Sequence, residues 1–404
     1  MNQKAKDILR PLYAWAFTEA LIFWYAIEKL LWSGSGITAK QIIILGIIAQ
    51  SSQILIEVPS SIIADRWSRR KSLMVSSVFM LTAIVIVLSV RSFLSFAIMS
   101  LVWAFYYSFQ SGTVNAYIYD LLKEKGEQSQ YRKALSRYTT FQLAGLLVSS
   151  LAASVLIKLG DLLTPYWVTL IPTVVALVLL WRMHDPAVER TEQSTGTASH
   201  HVRSAILNVS KKKWLIAIFV ALALVTAGRF VWYEYYQLYA LKQNVAPMLF
   251  GLLLALIHVG NIAGSEFAHR VKSPNRVLLT ALGALLASTT ALAFVTGTLA
   301  IVIFLVVCFF GSQAGSIVLD ENLQHETASE LRATTLSMAG LVSRIFFGVS
   351  AGVIIAFNTS PRIIAIVTLV AFIGIALYLP VRKRLASAVS IEDELIPLPT
   401  SPEL

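Results

Sequence analysis

Residues 57–73 read EVPSSIIADRWSRRKSL. The stretch begins inside one apolar run and ends inside another, and between them it gathers Asp65, Arg66, Arg69, Arg70 and Lys71. Gln41 to Ala64 upstream and Ser72 to Val90 downstream are each long enough to cross a membrane as a helix, since a bilayer core about 30 Å thick needs roughly 20 apolar residues. Two apolar windows joined by a short cationic link predict a helical hairpin whose turn lies on one polar face of a membrane.

The same alternation continues on both sides. Leu9 to Trp32 precedes the hairpin, and Phe93 to Leu122, Ala134 to Ile157 and Leu163 to Trp181 follow it. A polar stretch then intervenes, after which six more windows run from Trp214 to Leu241, Met248 to His269, Val277 to Phe294, Leu299 to Glu321, Thr334 to Phe357 and Ile363 to Pro380. The expectation is an all-α polytopic membrane protein of twelve transmembrane helices in two six-helix bundles. Residues 1–182 form the first bundle, 183–213 a cytoplasmic linker, 214–390 the second bundle and 391–404 a disordered cytoplasmic tail. The first window is long and lacks a small-residue cleavage pattern, so it is expected to stay as helix one.

Composition agrees. Of 404 residues, 56% are hydrophobic and 14% charged, with a mean hydropathy of +0.70, whereas soluble domains carry about 25% charged residues. The single cysteine, Cys308, excludes a disulfide framework and a cysteine-based zinc site.

The net charge of +11 suits nucleic acid, anionic lipid or membrane topology, and its placement decides for topology. Twenty-five Lys and Arg fall in the termini and alternate loops on one side, against six at the opposite loops and helix ends: Lys29, Lys40, Arg91, Lys158, Lys242 and Arg362. Cytoplasmic loops are enriched in Lys and Arg, so both termini are expected in the cytoplasm, the chain in the cell membrane, and no nucleic-acid partner. The remaining two cations, Arg229 and Arg344, fall inside windows.

A weak internal repeat supports two halves. F109-Q-S-G112 recurs as S312-Q-A-G315, and Q130-Y-R-K-A-L135 as E330-L-R-A-T-T335, at offsets of 203 residues for the glutamines and 200 for Arg132 and Arg332.

The 57–73 stretch resembles the motif between helices two and three of major facilitator superfamily transporters, an Asp-Arg pair followed by a basic cluster. The family's glycines at the first and eighth positions are here Ser61 and Ser68, which implies a looser approach of helices two and eleven. S111-G-T-V-N-A-Y-I-Y-D120 and L331-R-A-T-T-L-S337 are similar to bacterial members, in particular to the drug/proton antiporter branch. The resemblance implies alternating access about a cavity lined by helices one, four, seven and ten. It implies a gate in which Asp65 braces the cytoplasmic side while Arg66, Arg69 and Arg70 pair with nearby acids such as Asp120 and with carbonyl ends. Two of the branch's usual features are absent: helix four (FAIMSLVWAFYYSFQSG) has no early basic residue, and helix five (FQLAGLLVSSLAASV) has no Gly-Pro-rich motif.

An ionisable residue at mid-membrane costs at least about 2.5 kcal/mol and usually faces a cavity or a partner. Glu19 stands ten residues into the first window, with Trp15 and Phe23 a turn away on its face; it reads either as a proton carrier, as in exporters with an acid in helix one, or as a structural hydrogen-bonding group. Gln53 and Glu57 share a face of the second window, and Glu57 reads as proton carrier or as brace of the helix at Pro59. Arg229, with Tyr233 and Tyr236 one and two turns on, and Arg344 are expected to pair with Glu19 or a substrate anion, or to form fixed salt bridges. Glu234 is expected to reach water, and His258 and Asn261 to make helix contacts. No metal site and no cofactor are expected.

Aromatic residues crowd three of the four cavity helices. Trp15, Phe23, Trp103, Tyr107, Tyr233 and Tyr236, with Glu19, Asn115 and Gln313, are the expected substrate contacts, while Tyr235 to Tyr239 suit the interfacial belt. No nucleophile–base pair or phosphate loop appears, so an enzyme is excluded. The leading expectation is a monomeric, proton-coupled exporter of small hydrophobic or amphipathic compounds, possible cations among them. Uptake, lipid flipping, and a receptor or scaffold are the alternatives.

Overall fold

The computed structural model describes residues 3–66, 68–186, 213–327, 332–357, 360 and 362–373. Every regular element among them is helical. In chain order these are α1 (Gln3–Glu19), α2 (Glu28–Gly34), α3 (Ala39–Arg66), α4 (Arg69–Ser89), α5 (Phe93–Gln110), α6 (Thr113–Glu124), α7 (Tyr131–Leu159), α8 (Thr164–Arg182), α9 (Lys213–Lys242), α10 (Phe250–Arg270), α11 (Pro274–Phe294), α12 (Thr298–Glu326), α13 (Arg332–Ala356) and α14 (Arg362–Ile373). Among the described residues ten helical stretches are long and apolar enough to cross a membrane. The expected first span is divided between α1 and α2, and the twelfth is described only as α14. Most of the linker, residues 187–212, and the whole 391–404 tail lie outside the described residues.

In the N-terminal half α5 packs on α3 and α4, and α1 on α7 and α8; in the C-terminal half α12 packs on α9, α10 and α11. The halves meet along two seams, α7 against α10 and α3 against α13. At the first seam a Cβ on Gly251 would collide with the Ser150 carbonyl and lie 2.5 Å from the Ser154 hydroxyl, so glycine is what lets α10 approach. Leu55, Ile171, Phe294 and Leu299 point outward with 68–76% of their surface exposed, as a lipid-facing surface requires. Inside, hydroxyls tie helix to helix: Ser60 donates to the Ser108 carbonyl at 3.1 Å and Ser76 to the Tyr106 carbonyl at 3.1 Å. Ser68, at a motif position where the resemblance expects glycine, accepts from the Lys71 amide at 3.1 Å and so caps α4.

Two expected continuous spans are interrupted. The first unwinds after Glu19, passes through a 3-10 turn at Phe23–Ala26 and resumes at Glu28. There is no Pro or Gly at the break; the loosened backbone is held by neighbours instead. Ser149 of α7 donates to the Ala20 carbonyl at 3.3 Å, and the Phe23 amide donates to the Thr169 hydroxyl of α8 at 3.2 Å. Gly145 of α7 leaves room for the Phe17 carbonyl, which any Cβ there would strike. The fourth span breaks between α5 and α6 at Ser111 and Gly112, where Gly112 takes φ +72°. The counterpart of that break in the second half stays helical, because α12 runs unbroken through Ser312–Gly315.

Candidate functional site

Between the halves lies a cavity of about 370 Å³, lined by Tyr25, Ala49, Gln50, Gln53, Trp103, Ala104, Tyr107, Leu146, Arg229, Phe230, Tyr233, Glu234, His258 and Arg344. Its aromatic wall is continuous. Trp103 stacks on Tyr106 at 4.8 Å, meets Tyr107 edge-on at 5.3 Å and faces Tyr25 at 6.3 Å between ring centres. Across the cavity Tyr233 packs edge-on to Phe309 at 4.8 Å, and its hydroxyl receives a hydrogen bond from Asn261 at 3.1 Å. A second cavity of about 340 Å³ lies within the C-terminal half, lined by Thr226, Gln313, Ser316, Asp320 and Ser343 among others, and it shares Arg229 with the first.

Glu19 is the end residue of α1, 8% exposed. Its partners are neutral: Gln110, the last residue of α5, donates to it at 3.1 Å, and the Ser77 hydroxyl of α4 lies 3.4 Å away. The Tyr106 hydroxyl also hydrogen-bonds to it. No cation forms an ion pair with Glu19 among the described residues, so the expected pairing with Arg229 or Arg344 is not seen. Glu19 sits behind the cavity wall, not on it, since Tyr106 faces the carboxylate while the adjacent Tyr107 faces the cavity.

The two half-buried arginines inside the spans have separate fates. Arg344 of α13 forms a salt bridge with Glu57 of α3 at 3.0 Å, across the second seam. Arg229 of α9 donates to Gln313 at 2.8 Å, and Gln313 in turn donates to Ser265 at 3.2 Å.

On the face opposite the basic loops, the sequence expectation differs most from the structure. Lys29 is buried at 5% exposure instead of standing free at a helix end. It pairs with its neighbour Glu28 at 2.5 Å and with Glu234 of α9 at 3.2 Å, so Glu234 is tied to the other half and does not simply reach water. Gln237 of α9 accepts from the Lys29 amide at 2.8 Å and donates to the Tyr25 carbonyl at 2.9 Å. Tyr235, Tyr236 and Tyr239 are buried rather than interfacial; Tyr235 donates to the Ile43 carbonyl and Tyr239 to the Leu292 carbonyl at 2.6 Å. This lattice ties the two halves together on that face, beside the cavity that Tyr25 and Glu234 line.

Of the expected substrate contacts, Trp103, Tyr107 and Tyr233 reach the cavity together with Arg229 and Arg344. Trp15 is fully buried against Tyr138 in the core of the N-terminal half, and Phe23 falls beyond the break, off the Glu19 face. Tyr236 is buried against Gln237, Asn115 is exposed on α6, and Gln313 lines the second cavity. On the basic face Arg69 lies 3.6 Å from Asp120. Arg70 donates to the Trp181 and Met183 carbonyls at 2.8 and 3.0 Å and lies 3.7 Å from Asp185, closing the end of α8. Asp65 and Arg66 end α3, and their side chains lie outside the described residues.

The Major Facilitator Superfamily sequence model matches residues 12–351. The chain belongs to the major facilitator superfamily. A crystal structure of the nucleoside transporter NupG, in a variant form, superimposes with a TM-score of 0.76 at 13% identity, covering 94% of this chain and 99% of that one. The D-xylose–proton symporter gives a TM-score of 0.68 at 13% identity over 92% and 96%. A bacterial homologue of the human lysosomal transporter Spinster, in an inward-facing and unoccupied conformation, gives 0.65 at 14% identity over 98% and 100%. At such identities the likeness is one of fold, and no curated protein matches the chain in sequence. Membership of this superfamily makes the chain a multi-pass membrane transporter, and the interbundle cavity is its candidate substrate site.

Proposed function

We propose that this transporter moves small amphipathic compounds with an aromatic part through the central cavity, coupled to protons at Glu19, and that it works as an exporter. The observation that carries the coupling is the setting of Glu19: buried, at the ends of two interrupted helices, with hydrogen bonds to neutral groups alone. An ionised carboxylate there is withdrawn from solvent and has no counter-charge among the described residues, so taking up a proton is its least costly way to neutrality. Proton binding changes what Gln110 and Tyr106 are bonded to, and α5 carries that change to Trp103 and Tyr107 on the cavity. Glu19 thereby acts through the wall instead of touching substrate.

Alternating access assigns the remaining groups. The basic face is the cytoplasmic one in the cell membrane, and the Lys29 lattice closes the outer side in this state. Asp65, Arg66, Arg69 and Arg70 belong to the cytoplasmic gate, with Asp120 as partner of Arg69. Glu57 and Arg344 hold the second seam. One chain supplies both walls of the cavity, which supports function as a monomer.

The test is transport in proteoliposomes with an imposed pH gradient and a panel of labelled aromatic amphiphiles. Gradient-driven accumulation in wild type, lost in Glu19→Gln while gradient-free exchange persists, supports the reading. Accumulation in the opposite sense reassigns the chain to uptake, and lipid scrambling in place of solute movement to flipping.

A further inference from the structure

Arg229 differs from Lys29, Arg344 and Arg69 in having no acidic partner among the described residues. Lys29 has Glu28 and Glu234, Arg344 has Glu57 and Arg69 has Asp120; Arg229 has only the amide oxygen of Gln313. Among the described residues no carboxylate lies within ion-pair distance of it. Gln313 is itself held by Ser265, so the guanidinium is oriented by a relay that leaves its charge uncompensated. An unpaired cation at membrane depth is costly and marks a ligand path.

A second group points the same way. His258 of α10 is 4% exposed and lines the same cavity as Arg229, and its Nε2 has no hydrogen-bond partner in the protein. A buried polar atom without a partner carries a desolvation cost that a ligand atom would relieve. Among the described residues lining this cavity the one carboxylate, Glu234, is already engaged by Lys29; Asp320, on the second cavity that shares Arg229, accepts from Gln324 at 2.7 Å.

We infer that the transported compound carries an anionic group, a carboxylate or a sulfonate, seated on Arg229 and His258 while its aromatic part lies against Trp103, Tyr107 and Tyr233. This deepens the reading of the central cavity as the substrate site and rests on it. A guanidinium binds such oxyanions with two parallel N–H bonds, and an imidazole N–H adds a third.

The experiment keeps one ring and changes the charge. Binding of 1-naphthoate, its neutral amide and 1-naphthylmethylammonium to the purified full-length protein in nanodiscs is measured by calorimetry. The expected result is that naphthoate binds at least tenfold more tightly than the amide and the ammonium, and that Arg229→Gln brings naphthoate down to the level of the amide. Equal or tighter binding of the amide or the ammonium to wild type overturns the inference, as does absence of naphthoate binding; neither outcome depends on the variant folding. Transport of the same three probes separates the two readings. Gradient-driven movement without preference for the anion defeats only the present inference, whereas no movement of any probe defeats the proposed function.

Discussion

Gln110 and Gln313 stand 203 positions apart at corresponding places in the two halves, and each holds the buried ionisable group of its half with the opposite end of the same amide. Gln110 turns its N–H toward Glu19 at 3.1 Å, while Gln313 turns its carbonyl oxygen toward Arg229 at 2.8 Å. The duplicated glutamine thus serves an acid in one bundle and a base in the other. If Glu19 carries protons and Arg229 holds substrate, as proposed above, this asymmetry divides proton handling from substrate recognition.

The division is testable by substituting each glutamine with leucine. A hydrogen bond to a charged group contributes about 1.5–3 kcal/mol, so each loss is expected to cost roughly ten- to a hundredfold in the property it serves. Gln110→Leu should depress pH-gradient-driven transport while leaving naphthoate affinity near wild type. Gln313→Leu should weaken naphthoate binding and spare proton-driven movement of whatever probe remains bound. Equal effects of both variants on both measurements would sink the division.

The bridge between Glu57 and Arg344 predicts a charge-swap rescue. Only one of its partners is largely withdrawn from solvent, since the side chains are 36% and 13% exposed respectively, so the Coulombic gain is partly screened. Glu57→Gln strands the arginine and Arg344→Gln strands the acid, and each is expected to lower the thermal midpoint. The double variant Glu57→Arg, Arg344→Glu should recover at least half the loss. A coupling near zero in the double-mutant cycle would show that the seam is held by packing alone.

Much of the fold was legible in 57–73 and its flanks, because spans and cationic links obey a coarse rule that tolerates errors of a few residues. The motif, the topology asymmetry and the repeat of Gln110 and Gln313 were likewise open to reading. Neither helix break was expected from the sequence, and only one of them has a local signal there. Ser111–Gly112 is a turn-forming dipeptide within an apolar run, whereas the break after Glu19 arises from Ser149, Thr169 and Gly145 on helices more than a hundred residues away. The same limit hid the site. A carboxylate's position in a window showed that Glu19 is buried but not that Gln110 and Ser77 would be its partners. Lys29 looked like a helix-end cation because Glu234, which draws it inward, lies 205 positions further on.

Gly112 gives a stability prediction with an internal control. At φ +72° a side chain is strained, so Gly112→Ala is expected to cost about 1 kcal/mol or more. Gly348 lies inside α13 with nothing within 4 Å of a built Cβ, and there alanine should stabilise by roughly 0.5–1 kcal/mol. Thermal unfolding in detergent should move down for the first and up for the second. A shift of the same sign in both would contradict the assigned backbone.

The lattice around Lys29 predicts which variants open the outer face. Lys29 carries two carboxylates from two halves, Glu28 beside it in α2 and Glu234 in α9, and a Cβ on Gly46 would already lie 3.1 Å from the Tyr235 hydroxyl. Opening the cavity outward therefore has to separate Lys29 from Glu234. Removing one partner of a buried pair typically costs about 3–5 kcal/mol because the other charge is left uncompensated. In Lys29→Gln two carboxylates lose their shared cation, which weakens the closed state most. In Glu234→Gln, Lys29 keeps Glu28, and the effect should be smaller. The readout is a cysteine placed at Ala49, a cavity-lining position, in a Cys308→Ala background, probed in sealed vesicles of known orientation with a membrane-impermeant maleimide added from the outer side. Labelling should rise several-fold in Glu234→Gln and further in Lys29→Gln, while labelling from the basic side falls in step. If outer labelling stays at the wild-type rate in both variants, the lattice does not govern access from that side.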